Sequence, residues 1–130
     1  MKIIFANGTE LFPILVTGGL RHVQGASRDT LSFVFPADVG MDALDKAFTA
    51  EACESIKIIG DDGGEAIHKV YTVRADLKKE PFEIAPATDS SEAVFEDRIT
   101  VSMSQRTYME TQLASLTDTV DVLVMESLMV

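Results

Sequence analysis

The sequence predicts a mainly β, α+β fold: an antiparallel β-barrel or sandwich with one short inserted helix and a C-terminal coiled-coil-like helix. Three observations lead there. Apolar residues alternate with period two through Thr30 to Phe35, Glu65 to Leu77 and Asp97 to Ser104, as in strands with one face in a core. The runs follow one another in hairpin order, with none of the strand–helix–strand alternation that a parallel sheet needs. Met109, Leu113, Leu116, Val120 and Leu123 then recur at alternating spacings of four and three, which is a short helical seam.

The elements follow in order. Lys2 to Ala6 and Glu10 to Thr17 flank Asn7-Gly8, a dipeptide suited to the positive φ angles of a tight hairpin, so these two segments are expected to pair. Pro13 cannot donate to a ladder, which makes the second strand an edge or bulged strand. Gly18-Gly19 and Gly25-Ala26-Ser27 bracket a polar stretch expected to be loop, or at most a short strand. In Thr30 to Phe35 the side chains of Leu31, Phe33 and Phe35 share the core face, opposite Thr30 and Ser32. Pro36 ends that strand. Met41, Leu44, Ala47 and Phe48 fall at helical spacing behind a candidate cap at Asp38.

Ser55 to Ile59, the turn Gly60-Asp61-Asp62-Gly63-Gly64, and Glu65 to Leu77 read as a second hairpin. Its long arm is expected to place Ile67, Tyr71, Val73, Ala75 and Leu77 in the core and His68 on the solvent face. Pro81 to Glu92, with two prolines and Thr88-Asp89-Ser90-Ser91, reads as the longest loop. Asp97 to Ser104 returns as a strand with Ile99, Val101 and Met103 inward. Near Gln105 period two gives way to the helical spacing, so an antiparallel β domain over 1–105 is expected to carry a C-terminal helix over 106–130 used for association.

The formal net charge is −10, from 21 acidic and 11 basic residues that form no patch, so nucleic acid is not an expected partner. No apolar run approaches the roughly 18 residues of a membrane-spanning helix, and no membrane partner is expected. Lone Cys53, in a helix-forming stretch, reads as a small buried apolar side chain.

Chemistry-bearing patterns are weak. Asp61-Asp62-Gly63-Gly64-Glu65 lacks the ligand spacing of a calcium loop and reads as a turn. Asp89, Glu92, Glu96 and Asp97 could suggest paired carboxylates, but they flank a Ser-rich loop with no clear aromatic platform. Tyr71, Phe82 and Phe95 read as core. Neither His22 nor His68 has a companion at metal-ligand spacing. No nucleophile elbow or phosphate loop occurs. The expectation is therefore no catalytic residue, no metal and no cofactor.

The seam Met109, Leu113, Leu116, Val120 and Leu123 is the site residue set that remains. With Leu113 and Val120 as a positions, the next a position is Ser127, so only about two heptads are clean. The flanking e and g positions, Glu110 among them, supply no opposite-charge pairs. Packing of this helix on its own domain, or a final strand through Val120 to Met125, are the alternatives to association.

Several segments carry a resemblance: Phe5-Ala6-Asn7-Gly8-Thr9-Glu10-Leu11, Gln24-Gly25-Ala26-Ser27-Arg28-Asp29-Thr30-Leu31, Glu96-Asp97-Arg98, and Gln112-Leu113-Ala114 with Val120-Asp121-Val122-Leu123-Val124-Met125-Glu126. Together they resemble a family of small proteins encoded among the late, tail-associated genes of bacteriophages and prophages of Gram-positive bacteria. The resemblance implies a tail or baseplate component that is cytoplasmic during synthesis and then virion-associated, partnered by its own copies or by another phage structural protein. The family has no assigned catalytic residues to carry across. A small ligand- or carbohydrate-binding barrel and a hydrolase using the acidic loop are the rival readings.

Overall fold

The computed structural model describes residues 1–113 and 116. Within them the chain forms β1 (Lys2–Phe5), β2 (Glu10–Leu11), β3 (Leu15–Val23), β4 (Ala26–Pro36), α1 (Met41–Ala47), β5 (Ser55–Ile59), β6 (Glu65–Lys69), β7 (Val73–Ala85) and β8 (Val94–Ser104). The strands make two four-stranded sheets, ordered β2-β1-β5-β6 and β3-β4-β8-β7, with antiparallel pairing throughout. The mainly antiparallel β expectation holds. Among the described residues no strand pairing joins the two sheets, so the barrel alternative fails. The chain passes between the sheets three times, through α1 and at two breaks in what would otherwise be continuous strands, rather than extending one ladder round.

The first break is at Pro13. The Asn7-Gly8 turn forms as expected, with Gly8 at φ 86° and the Asn7 side chain accepting from the Thr9 N–H at 3.0 Å. The strand expected over Glu10 to Thr17 instead splits: β2 stops at Leu11, and the Ile14 N–H donates to the Val34 carbonyl at 2.7 Å, starting β3 in the other sheet. A residue with no N–H is suited to such a gap. The stretch expected as loop is the second half of β3, which pairs with β4 continuously from Leu15↔Val34 to Val23↔Ala26. Its turn is Gln24-Gly25, both at positive φ (48° and 80°), the geometry that matches the twist of a two-residue hairpin.

The second break is at Val70, held at φ 59°. It divides the long arm expected over Glu65 to Leu77 into β6 and β7, one in each sheet. Period-two counting does not survive a residue that is not extended, because a one-residue slip exchanges the faces. Hence Ile67, expected in the core, is 60% exposed, whereas His68 stands opposite buried Ile56 and packs edge-on to Tyr71.

Two boundaries also differ. Asp38 lies in a 3-10 turn (Ala37–Val39), and the residue preceding α1 is Gly40, which makes no side-chain cap. Pro81 to Ala85, expected in the loop, belongs to β7; an edge strand tolerates Pro81 because its outer side needs no donor.

Both sheets share one apolar core. Ile3, Phe5 and Ile56 come from the first, Phe33, Phe35, Ile99, Val101 and Met103 from the second, and Leu44 and Phe48 close it. The Phe48 ring lies 4.9, 5.3 and 5.9 Å from those of Phe5, Phe33 and Phe35. Cys53 is fully buried here, and desolvation pushes its thiol up to about 12, so it remains protonated.

Candidate functional site

Beyond β8 the chain turns into a helix, α2 (108–113), with residue 116 also helical. Its start is built from a capping box, the pattern Thr-x-x-Glu, which the heptad spacing does not reveal. The Thr107 hydroxyl accepts from the Glu110 N–H at 3.2 Å, and the Glu110 carboxylate accepts from the Thr107 N–H at 3.0 Å. Glu110 also receives both terminal nitrogens of Arg28, one of them at 3.0 Å. It therefore has a cation partner after all, supplied by β4 rather than by a neighbouring helix.

Arg28 is 3% exposed, and its remaining donors reach the carbonyls of Val23, Gln24 and Gln105. The Arg28 guanidinium, followed by the bond from the Thr107 N–H, holds the Glu110 carboxyl down at about 2. Further bonds tie down the approach to α2. The Gln105 N–H donates to the Asp29 carbonyl and the Arg106 N–H to that of Val70, both at 2.7 Å.

On this anchored root, Tyr108, Met109, Leu113 and Leu116 are 77%, 73%, 60% and 61% exposed. With Gln112 they line a shallow apolar cleft of about 250 Å³. Three of the five seam residues, Met109, Leu113 and Leu116, thus share one surface; Val120 and Leu123 lie outside the described residues. Tyr108 joins that surface without belonging to the heptad pattern, which is why the spacing missed it.

A second candidate lies on the side of the β3-β4-β8-β7 sheet away from the core. Alternation puts Thr30 and Ser32 of β4 beside Ser104 and Ser102 of β8. The Thr30 and Ser104 hydroxyls are 2.7 Å apart and those of Ser32 and Ser102 2.8 Å apart, forming two rungs of a hydroxyl ladder. Thr30, Thr100, Ser102 and Ser104 are all buried, on a face that also carries apolar Leu15, Val34 and Phe82. Curl explains this. Arg21 of β3 and Asp76 of β7 belong to opposite edges of the sheet, yet their side chains meet at 3.2 Å. Strands spaced about 4.8 Å apart would hold those edges beyond side-chain reach if the sheet were flat. The curled face carries an open groove of about 300 Å³ whose walls include Arg21, Asp76, Lys78, Glu80 and Phe82.

Three members of the acidic clusters have local roles. Asp62 accepts from the Gly64 N–H at 2.9 Å and so shapes its turn, Asp61 pairs with the N-terminal ammonium, and Glu96 pairs with Arg98 at 3.1 Å. Among the described residues no group of three His, Cys, Asp or Glu side chains converges as a metal site would require, and no helix is long and apolar enough to cross a membrane. Phe95, expected in the core, is 57% exposed near the end of the β7–β8 hairpin. Comparison with protein-family models, with curated proteins and with solved structures finds no match to this chain.

Proposed function

We propose that the chain is a non-enzymatic structural or assembly protein that associates through the apolar face of its C-terminal helix. The observation that carries the reading is the surface of Tyr108, Met109 and Leu116, large apolar side chains presented to solvent on a helix whose first turn is fixed to the β domain. Apolar area left wet forgoes about 25 cal/mol for each Å² that could be buried, so a patch of a few hundred Å² is worth several kcal/mol to a complex. The partner is a second copy of the chain or another component of the same particle.

The resemblance to late phage genes supports a tail or baseplate as that particle, with the protein made in the cytoplasm and then held in the virion. Light scattering tests association directly. The wild-type chain is expected to form an oligomer that Met109→Asp with Leu116→Asp dissociates while the far-UV spectrum of the β domain persists. A monomeric wild type that binds no apolar dye removes the basis for the proposal.

A further inference from the structure

We propose that the curled outer face of the β3-β4-β8-β7 sheet is a binding site for a neutral saccharide of one or two rings. The proposal is independent of the helix and its partner. The groove, about 300 Å³, stands at the lower end of the range for small-molecule sites, roughly 300–1,000 Å³. That size suits a mono- or disaccharide rather than a cofactor.

Its chemistry is that of a sugar site. The base carries the Ser32–Ser102 hydroxyl pair, which satisfies one donor and leaves one O–H and further lone pairs to offer. Beside it stands Thr100, 7% exposed, whose hydroxyl has no hydrogen-bond partner among the described residues. A buried polar atom left in that state is costly and points to a ligand or solvent atom that completes it. Asp76, the register partner of Ser102, likewise has one carboxylate oxygen buried without a partner among the described residues.

The walls are electrically balanced. Arg21 and Lys78 donate, Asp76 and Glu80 accept, and each cation is offset by a carboxylate, so a charged ligand would meet as much repulsion as attraction. A hydroxyl both donates and accepts, and a ring bearing several of them can use both kinds of wall at once. Phe82, which has the Arg98 guanidinium over its ring at 5.8 Å from the centre, supplies apolar surface in the groove against which the C–H groups of a sugar can rest.

The test uses the full chain on an array of neutral and acidic glycans, followed by amide shift titration with the neutral sugar retained. Saturable shifts are expected at Ser32, Lys78 and Ser102. Two substitutions at the accessible rim, Phe82→Ala and Glu80→Gln, should each weaken binding by roughly tenfold, the scale of one good hydrogen bond or stacking interaction. Unchanged thermal unfolding in either variant shows that the weakening is local. Retention of no neutral glycan, preferential retention of acidic ones, or shifts that map away from these strands would overturn the proposal, as would full affinity in both variants.

Discussion

Adjacent residues on the two central strands of the second sheet live in opposite chemical worlds. Phe33 and Val101 are fully buried against aromatic and aliphatic neighbours, whereas Ser102, next to Val101 and pointing the other way, is equally inaccessible but sits among hydroxyls. The first face is sealed by another sheet and a helix, and the second by the curl of its own. Burial is therefore no guide to polarity here. What differs is the cost of an imperfect fit, since a gap between apolar side chains forfeits packing while a hydroxyl left alone forfeits its hydration.

The largest expected effect is on the apolar side. Phe33→Ala should lower unfolding free energy by about 3–5 kcal/mol, read as a shift in denaturation midpoint at unchanged slope. An unshifted midpoint would show that the two sheets do not close on this ring. On the hydroxyl side, Ser104→Ala leaves the Thr30 hydroxyl with only its bond to the Arg28 carbonyl at 3.3 Å and should cost about 1 kcal/mol, the scale of one lost hydrogen bond. Thr30→Val should then cost less in the Ser104→Ala background than in the wild-type chain, and strict additivity in the double variant would mean that the rung is not a coupled pair.

Thr100→Val sharpens the contrast, because its hydroxyl is buried without a partner among the described residues. The change is expected to be neutral or to stabilise by up to about 1 kcal/mol, and a clear destabilisation would show that the hydroxyl is satisfied in solution.

The gentlest probe is a titration where the polar face meets α2. Glu110 is held at about 2 against an ordinary 4.5, so the folded form binds its proton less readily than the unfolded one. Its contribution to anchoring the helix is complete above about pH 4.5 and is lost as pH falls toward 2, with no change expected at neutral or alkaline pH. Carboxyl chemical shifts read this midpoint, which should return toward 4.5 in Arg28→Ala.

Much of the fold was legible where alternation was unbroken. Leu31, Phe33 and Phe35, and Ile99, Val101 and Met103, are buried as their spacing implies. What defeated the reading was the passage between sheets. Val70 bears a β-branched side chain at positive φ, a conformation that local preference opposes and only its surroundings impose, so nothing nearby warned that the faces of β6 and β7 should be counted separately. Gln24, also at positive φ, likewise hid the β3–β4 hairpin.

Of the helical surface, Met109, Leu113 and Leu116 could be found by spacing, and Thr107 with Glu110 by the capping pattern. Arg28 could not, because its role depends on a partner 82 residues away. The groove was invisible for a similar reason: curl joins Arg21 to Asp76 across 55 residues, and solvent-facing Ser and Thr on a strand carry no mark of being enclosed.

The pairing of β4 with β8 also sets a timetable. Strand β4 meets β3 through a two-residue turn, but the Thr30 and Ser104 that join it to β8 are 74 residues apart. A chain emerging from the ribosome N-terminus first can close the early hairpin long before the other central strand exists. During that wait Leu31, Phe33 and Phe35 lack their final cover, while the reverse side of the same ribbon shows Thr30 and Ser32. The nascent hairpin is thus more adhesive on one side than on the other, where Leu15 and Val34 are apolar among the hydroxyls, and this narrows the ways in which two half-made chains can stick together.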